Sequence, residues 1–134
     1  MFDPAHVPPV EPNETLARFI LFSRHFRSSD RTVKPDAFIP HPHSELSMTR
    51  HAEATPAELW GEGERVAGLR TVALYGRADV EVAVFTDQGL RVEAAPIFHN
   101  PNHVNATNWP AEKPNQKMKA LLVAEKSRYV PKPN

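Results

Sequence analysis

The sequence predicts an α+β fold, in which a small antiparallel sheet carries about three packed helices. Its length of 134 residues is close to the commonest size of a single domain. Several segments repeat apolar residues at helical spacing, whereas residues 69–97 alternate apolar and polar side chains as strands do. The expected domain covers residues 13–128, between a proline-rich and poorly packed lead-in (residues 1–12) and a proline-rich tail (residues 129–134).

The first helix is predicted over residues 14–27. Asn13 is a favourable N-cap, because its side chain can accept a hydrogen bond from the first helical turn. Apolar residues then follow the spacing of a buried helical stripe: Leu16, Phe19, Ile20 and Phe26. The arginines of this segment fall on its other faces and are expected to be solvated: Arg18, Arg24 and Arg27.

A strand is predicted from Leu46 to Arg50, where apolar and polar residues alternate. Successive side chains of a strand point to opposite faces of the sheet. Leu46 and Met48 are therefore expected to face the core. The polar residues of this stretch share the other face: Glu45, Ser47 and Thr49.

The second helix, predicted over residues 55–67, has the clearest start in the chain. The segment Thr55–Glu58 combines an N-cap threonine, a proline at the first helical position and a glutamate three residues after the cap. Gly68 is a suitable residue to end the helix. Two interior glycines, Gly61 and Gly63, weaken it by up to about 1 kcal/mol each.

The second half of the chain begins with a β pattern. A strand is predicted at residues 71–75 and a hairpin at residues 80–94, with Gly89 in the turn. An irregular loop over residues 96–110 then leads to a third helix over residues 114–127. One stripe of this helix carries its large apolar residues and a glutamate: Met118, Leu121, Leu122 and Glu125.

The composition excludes several classes of function. Sixteen Lys and Arg balance sixteen Asp and Glu, which removes the simplest argument for a nucleic-acid-binding protein, a strongly basic domain. The absence of cysteine excludes disulfides, thiolate nucleophiles, zinc knuckles and iron–sulfur clusters. No apolar run reaches the roughly 18 residues of a membrane span, and no signal-peptide pattern is present. A cytoplasmic protein without membrane association is therefore expected.

Two proline-bracketed segments concentrate histidines and other polar side chains, residues 41–51 and 99–108. One interpretation is a metal-independent site for a nucleotide or RNA phosphate, which needs an acid, a base and a cation. The candidate acid/base pair is His43 and His103, and the candidate cation is Arg50. Further substrate-binding candidates supply hydrogen bonds, stacking and charge: Ser47, Asn105, Trp109 and Lys113.

A second interpretation is a metal site formed by His41, His43, Glu45 and a histidine of the later loop, because the rings of an extended His-x-His segment point to one side. A structural interpretation stays open beside both, since loop histidines often bond to the backbone and Trp109 can simply cover the core. Asparagines can likewise tie down an irregular loop: Asn100, Asn102, Asn105 and Asn108. No cofactor is predicted.

Four local phrases carry a resemblance: Leu16–Ile20, Ala37–Phe38 with its nearby proline, Glu45–Ser47, and the histidine-containing loop before Trp109-Pro110 with its Lys/Ala/Leu helix. In these phrases the chain resembles a group of short bacterial proteins of unassigned function, over residues 14–125. The resemblance implies a bacterial single-domain protein and supplies no catalytic residue.

The predicted function is an interaction module, of the accessory or antitoxin-like kind, that docks a protein partner. The alternative is a small metal-independent enzyme or ligand-binding protein, acting on a nucleotide or RNA through its His/Arg/Asn-rich loops. A concave pocket that gathers His43, Arg50 and His103 would favour this alternative. An exposed apolar patch would favour the interaction module.

Overall fold

The computed structural model describes residues 1–40 and 44–134, and it has the α+β fold that the sequence predicts. Its strands are β1 (Thr15–Ile20), β2 (Phe26–Arg27), β3 (Thr32–Val33), β4 (Leu46–Arg50), β5 (Gly76–Glu81), β6 (Arg91–Ala94), β7 (His103–Thr107) and β8 (Arg128–Pro131). Its helices are α1 (Pro56–Arg70), α2 (Val82–Thr86) and α3 (Lys113–Lys126), with short 3₁₀ helices at Ser23–His25 and Pro35–Phe38. The main antiparallel sheet has the order β6-β7-β4-β1-β5-β8, and β2 pairs with β3 separately.

The two faces of the main sheet carry different helices. One face holds the larger apolar core, to which alternate strand residues contribute: Leu16, Ile20, Leu46, Met48, Ala78, Val80, Val104 and Ala106. Helix α3 and the 3₁₀ helix Pro35–Phe38 cover this face. Helix α1 lies over the opposite face, where Ala67 packs in a smaller cluster with Phe19 and Leu74. The sheet therefore separates α1 from α3.

Helix α1 begins as predicted. The backbone N–H of Glu58 donates to Thr55 Oγ1 at 3.1 Å, and the backbone N–H of Thr55 donates to Glu58 Oε1 at 2.9 Å. These two bonds are the predicted capping box. The predicted end at Gly68 is wrong, because the helix continues to Arg70 and Thr71 closes it in the left-handed conformation with φ of 54°.

The prediction of a helix over residues 14–27 is wrong. Residues Thr15–Ile20 form β1, which lies between β4 and β5 in the sheet. Leu16 and Ile20 are four residues apart, and this spacing puts two side chains on one face in a helix and in a strand alike. The periodicity therefore fitted both structures, and pairing with two neighbouring strands decided between them.

The predicted strand at residues 71–75 and the hairpin at residues 80–94 are also wrong. The observed strand is β5, and the chain then enters the short helix α2 instead of continuing as a strand. Strand β6 pairs with β7, so that the segment predicted as an irregular loop supplies a strand that lies between β6 and β4 in the sheet. Val82 and Phe85 are both buried, and burying this pair requires the three-residue spacing of a helical turn.

The strand predicted at 46–50 is confirmed with the same bounds, and Leu46 and Met48 are buried in the core. The third helix is also confirmed, but its buried face differs from the predicted stripe. It buries smaller residues, Gln116, Ala120, Val123 and Ala124, and exposes the large ones. Across the described residues, no helix combines the length and apolar character needed to cross a membrane.

The proline-rich lead-in contacts the domain at a few points, although most of its residues are exposed and none is buried. The Arg50 guanidinium donates to the carbonyl oxygens of Pro8 at 2.7 Å and Pro9 at 3.0 Å, and it lies 4.4 Å from the ring centroid of Phe2. The Phe2 backbone N–H donates to Asn102 Oδ1 at 2.9 Å. At the other end, Arg128–Pro131 pairs with β5 as the edge strand β8.

Two glycines of α1 predict opposite effects of the same substitution. A Cβ at Gly63 would lie 2.9 Å from Phe19 Cδ1 and 3.0 Å from Leu74 Cδ2, whereas a Cβ at Gly61 meets nothing within 4 Å. We expect Gly61→Ala to raise the free energy of unfolding by up to about 1 kcal/mol, through helix propensity. Gly63→Ala should lower it, since overpacking costs about 1–3 kcal/mol. Urea denaturation measures both, and equal stabilisation would contradict the close packing of α1 on β1.

Candidate functional site

A cleft of about 300 Å³ opens between α1 and the place where β1 and β4 separate. The two strands pair at Leu16 with Arg50 and at Ala17 with Thr49. At the next residue of β1 the guanidinium of Arg18 enters, and its Nη1 donates to the carbonyl oxygen of Ser47 on β4 at 3.0 Å. The arginine thus satisfies a strand carbonyl at the position where the β-ladder ends.

Arg18 holds a positive charge in the wall of this cleft. Its Nε donates to the Ala37 carbonyl oxygen at 2.8 Å, which fixes the side chain between the sheet and the 3₁₀ helix Pro35–Phe38. Burial and the nearby charge of Arg70 lower the pKa of Arg18 to about 10. The group therefore stays protonated at neutral pH, in surroundings that disfavour its charge.

Arg65 also lines the cleft, but its charge is balanced. Its Nε and Nη2 donate to the two carboxylate oxygens of Glu62 at 2.9 Å and 2.5 Å. These bonds to the buried carboxylate raise the pKa of Arg65. The pair fixes the inner surface of α1 and adds little net charge to the cleft.

Arg70 and Arg24 extend the positive charge from the cleft toward Phe22. Their Cζ atoms lie 5.2 Å and 4.5 Å from the centroid of the Phe22 ring. In the described part of the chain, no carboxylate oxygen lies within 4.0 Å of any of three arginines: Arg18, Arg24 and Arg70. These three residues form what we call the arginine cluster.

His25 reports the positive field of the arginine cluster. Burial lowers the pKa of His25, and the charges of Arg18, Arg24 and Arg70 lower it further, to about 4, although Asp36 acts in the opposite direction. The imidazole is therefore neutral near pH 7. The three guanidinium groups thus act in the same direction as burial, which is the largest cause of the lowered pKa of His25.

The sheet side of the cleft is lined by two of the residues predicted from the sequence, Ser47 and His103, and a third, Asn105, contacts Ser47. Ser47 faces Asn105 across β4 and β7, and Ser47 Oγ donates to Asn105 Oδ1 at 3.3 Å. His103 lines the cleft, and its Nδ1 lies 2.9 Å from the Ala95 carbonyl oxygen. A carbonyl oxygen only accepts, so Nδ1 carries the proton and Nε2 is the nitrogen left to contact a ligand.

Arg50 lies outside this arrangement, and its predicted role facing a phosphate is contradicted by its surroundings. Only 1% of its surface is exposed, and its Nε and Nη2 both donate to the Glu14 carboxylate at 2.7 Å. Strand alternation explains the difference, because Arg50 follows Leu46 and Met48 on the core side whereas Ser47 points to the other face.

Two other predicted ligand contacts also lie away from the cleft. Trp109 is 8% exposed, and its indole N–H donates to the Ala106 carbonyl oxygen at 2.9 Å. This residue therefore covers the core, and its ring is not available to stack on a base. Lys113 is the first residue of α3, which packs on the face of the sheet opposite to α1.

The remaining candidates involve residues outside the described ranges. His41 and His43 lie there, so the acid/base pair with His103 and the metal site with Glu45 stay predictions. Among the residues that the structure describes, no group of three or more His, Asp or Glu side chains is placed to hold a metal ion. Glu45 and His103 line the same cleft, which brings the described parts of the two polar segments together.

The buried asparagines of the second polar segment have structural roles. Asn102 Nδ2 donates to the carbonyl oxygens of Arg50 at 2.9 Å and Ala52 at 2.8 Å. Asn100 Nδ2 donates to Thr49 Oγ1 at 2.9 Å. They join β4 to the loop before β7 and thereby position His103 at the cleft.

The arginines that dominate the cleft were missed by the sequence reasoning. Arg18 was assigned to the solvated side of a helix, and Arg65 and Arg70 were not singled out. A strand assignment for residues 15–20 would not have placed Arg18 beside Ser47 either, because alternation puts Arg18 on the face of Leu16 and Ile20 and the contact arises only where β1 and β4 separate. No sequence spacing indicated that Arg70 lies near it, since the two are 52 residues apart along the chain.

Comparison with family models, curated proteins and solved structures gives no match for this chain. The resemblance to short bacterial proteins therefore stays a prediction.

Proposed function

We propose that the protein binds a small phosphate-bearing molecule in the cleft between α1 and the sheet. One observation carries the proposal: Arg18 and Arg70 both line the cleft, and no carboxylate in the described part of the chain forms an ion pair with either. A half-buried cation without a counter-ion is disfavoured, and a bound anion would compensate it. A perturbed titratable group in a concave site is a typical mark of a ligand site.

The chemistry of the lining favours phosphate over a monocarboxylate. Guanidinium groups donate parallel hydrogen bonds that match the oxygens of both anions, but a phosphate monoester carries nearly twice the charge. Arg65 is balanced by Glu62, which leaves Arg18 and Arg70 against the exposed Glu45. The net charge of the lining is then about +1, so the preference for phosphate rests on the two guanidinium groups, which can each donate to a different phosphate oxygen.

The size and polarity of the cleft indicate an organic group on the phosphate. A volume of about 300 Å³ exceeds what phosphate alone fills and reaches the lower range of small-molecule sites. Ser47 Oγ and His103 Nε2 offer hydrogen bonds to such a group, while Phe19 and Val66 offer apolar contact. A nucleoside monophosphate combines these features.

Isothermal titration with AMP tests this proposal, with adenosine as the uncharged comparison. We expect AMP to bind and adenosine to bind much more weakly. Arg70→Gln should weaken AMP binding by roughly 10- to 100-fold, since a hydrogen bond to a charged group is worth about 1.5–3 kcal/mol. Arg70 is exposed, so this variant should keep its thermal stability. The matched control is Arg91→Gln, which changes a 70% exposed arginine on β6.

The pKa of His25 gives a second readout that reports the location of the anion. An anion bound between Arg18 and Arg70 offsets two of the charges that lower this pKa, so NMR titration should show it rising from about 4 when AMP is added. AMP binding with an unchanged His25 pKa would place the anion elsewhere. Equal losses in Arg70→Gln and Arg91→Gln would mean nonspecific attraction, and either result rejects the proposed site.

A second candidate function is favoured by a separate observation on the other face of the sheet. Helix α3 exposes Met118, Leu121 and Leu122, which are 67%, 46% and 47% accessible. Exposed apolar patches of this kind mark interaction surfaces. This supports the interaction module, of the accessory or antitoxin-like kind, that the sequence predicts.

A further inference from the structure

Helix α3 buries the face that carries its smaller apolar side chains and exposes the face that carries the larger ones. It buries Ala120, Val123 and Ala124 against the core and turns its largest apolar side chains outward. The outward residues follow i, i+3, i+4 spacing and so form one continuous stripe: Met118, Leu121 and Leu122. We call this set the α3 stripe. A stripe with the periodicity of a buried face, left uncovered by its own domain, points to burial against another molecule.

A groove of about 610 Å³ runs beside the α3 stripe. Its walls are the β2–β3 hairpin, the C-terminal half of α3 and the start of β8. Leu121 belongs to both the stripe and the groove wall, so the two form a continuous surface. Tyr129 contributes an aromatic wall and stacks on Phe26 with 4.8 Å between the ring centroids. The surface is therefore concave and partly apolar, as in sites that receive a peptide segment.

Positive charge surrounds this surface. Three arginines line the groove: Arg27, Arg31 and Arg128. Two exposed lysines of α3 lie four residues from stripe residues, Lys117 from Leu121 and Lys126 from Leu122. Three carboxylates oppose these five cations: Asp30 and Glu125 in the groove wall, and Asp79, whose Oδ2 lies 3.6 Å from Arg128 Nη2. Asp30 is already bonded within the hairpin, where it accepts from the hydroxyl and the backbone N–H of Thr32.

We propose that the groove and the α3 stripe dock an acidic amphipathic segment of a protein partner. Apolar side chains of the segment would cover Met118, Leu121 and Leu122, and its carboxylates would meet the surrounding arginines and lysines. The proposal names the partner class for the second candidate function and is independent of ligand binding in the cleft. The sheet separates the two surfaces, so each can be tested without disturbing the other.

Charge decides against a second copy of this chain as the occupant. Two α3 helices packed through their stripes would bring lysines from both copies together, and Glu125 is the one acidic residue of the helix. Like charges across an interface are destabilising, whereas an acidic segment converts the same lysines into attractive partners. Shape decides against an anionic membrane surface, because a lipid surface cannot enter a groove as side chains of a peptide do.

The test is a selection of random 16-residue peptides displayed on phage, with the full chain immobilised. We expect enriched peptides to carry net negative charge and apolar residues at i, i+3, i+4 spacing. A synthetic peptide of the enriched sequence should bind with an affinity that Leu121→Glu weakens by at least about tenfold, or 1.4 kcal/mol. Lys117→Glu should weaken it as well. Leu69→Glu is the matched control, since Leu69 is a 73% exposed leucine on α1.

Each other result overturns the proposal. If the enriched peptides are neutral or basic, or if Leu121→Glu does not weaken their binding, then the groove and the α3 stripe are not the site that recognises an acidic amphipathic segment. Sedimentation showing a dimer that Leu121→Glu dissociates would identify a second copy as the occupant. Binding to phosphatidylserine vesicles without peptide enrichment would identify a membrane. Thermal denaturation of each variant shows whether a loss of peptide affinity comes from a loss of folding. AMP titration of Leu121→Glu shows whether the cleft still binds its ligand, so that failure of the docking proposal can be told apart from failure of the cleft proposal.

Discussion

Replacing Glu14 with alanine should lower the free energy of unfolding by about 3–5 kcal/mol, because it leaves a buried guanidinium without its counter-charge. Arg50 is 1% exposed and makes two 2.7 Å hydrogen bonds to the Glu14 carboxylate. Burial opposes the charge of Glu14, but the bonds from Arg50 and from the Glu11 backbone N–H outweigh it and lower the pKa of Glu14. Urea denaturation at pH 7 measures the loss.

Two further variants distinguish the ion pair from a general effect of mutation in this region. Glu11→Ala removes an exposed glutamate three residues away and should change stability by less than about 0.5 kcal/mol. Arg50→Met added to Glu14→Ala should recover part of the loss, since an apolar side chain tolerates burial without a counter-charge. If the double variant is no more stable than Glu14→Ala, the unpaired charge is not the cause. A normal AMP affinity in the double variant would agree with a structural role for Arg50.

Local signals in the sequence predicted the parts of the fold that depend on local interactions. The capping box at Thr55–Glu58 and the alternation at Leu46–Arg50 each specify a structure within a few residues, and both are observed. The predictions for residues 15–20 and 80–94 are wrong because the periodicity of these segments suits more than one structure. Their outcome depends on strand order, in which β1 lies between partners that come later in the chain.

The same distinction explains how much of the site was predicted. Ser47, Asn105 and His103 are each candidates from the sequence, and the pairing of β4 with β7, which the sequence does not predict, brings them together. The arginine cluster could not be predicted, since its members come from β1, a 3₁₀ helix and the end of α1. Only the packing of α1 over the sheet brings Arg70 near Arg18, and no sequence pattern within either segment predicts that the two residues are close.

Asp79 on β5 is the centre of a buried polar network whose disruption should also be severe. Its Oδ1 accepts from His51 Nε2 and Arg77 Nε, each at 2.9 Å, and Arg128 Nη2 lies 3.6 Å from Oδ2. The Cζ of Arg77 lies 4.7 Å from the ring centroid of Trp60, which connects the network to α1. We expect Asp79→Asn to lower the free energy of unfolding by about 2–4 kcal/mol, since the largely buried Arg77 guanidinium loses its charged acceptor.

The pH dependence of this loss identifies the carboxylate charge as its cause. Burial raises the pKa of Asp79, but hydrogen bonds from His51 and Arg77 outweigh it and lower the pKa below the ordinary 3.8. A lowered folded-state pKa stabilises the protein above the unfolded-state value, and this stabilisation is lost as pH falls through the folded-state value. The difference between wild type and Asp79→Asn should therefore be fully present at pH 7 and shrink below about pH 4. Glu81→Gln, at an exposed position two residues along β5, should show neither the loss nor the pH dependence. A difference that persists unchanged at pH 3 would assign the loss to packing and not to charge.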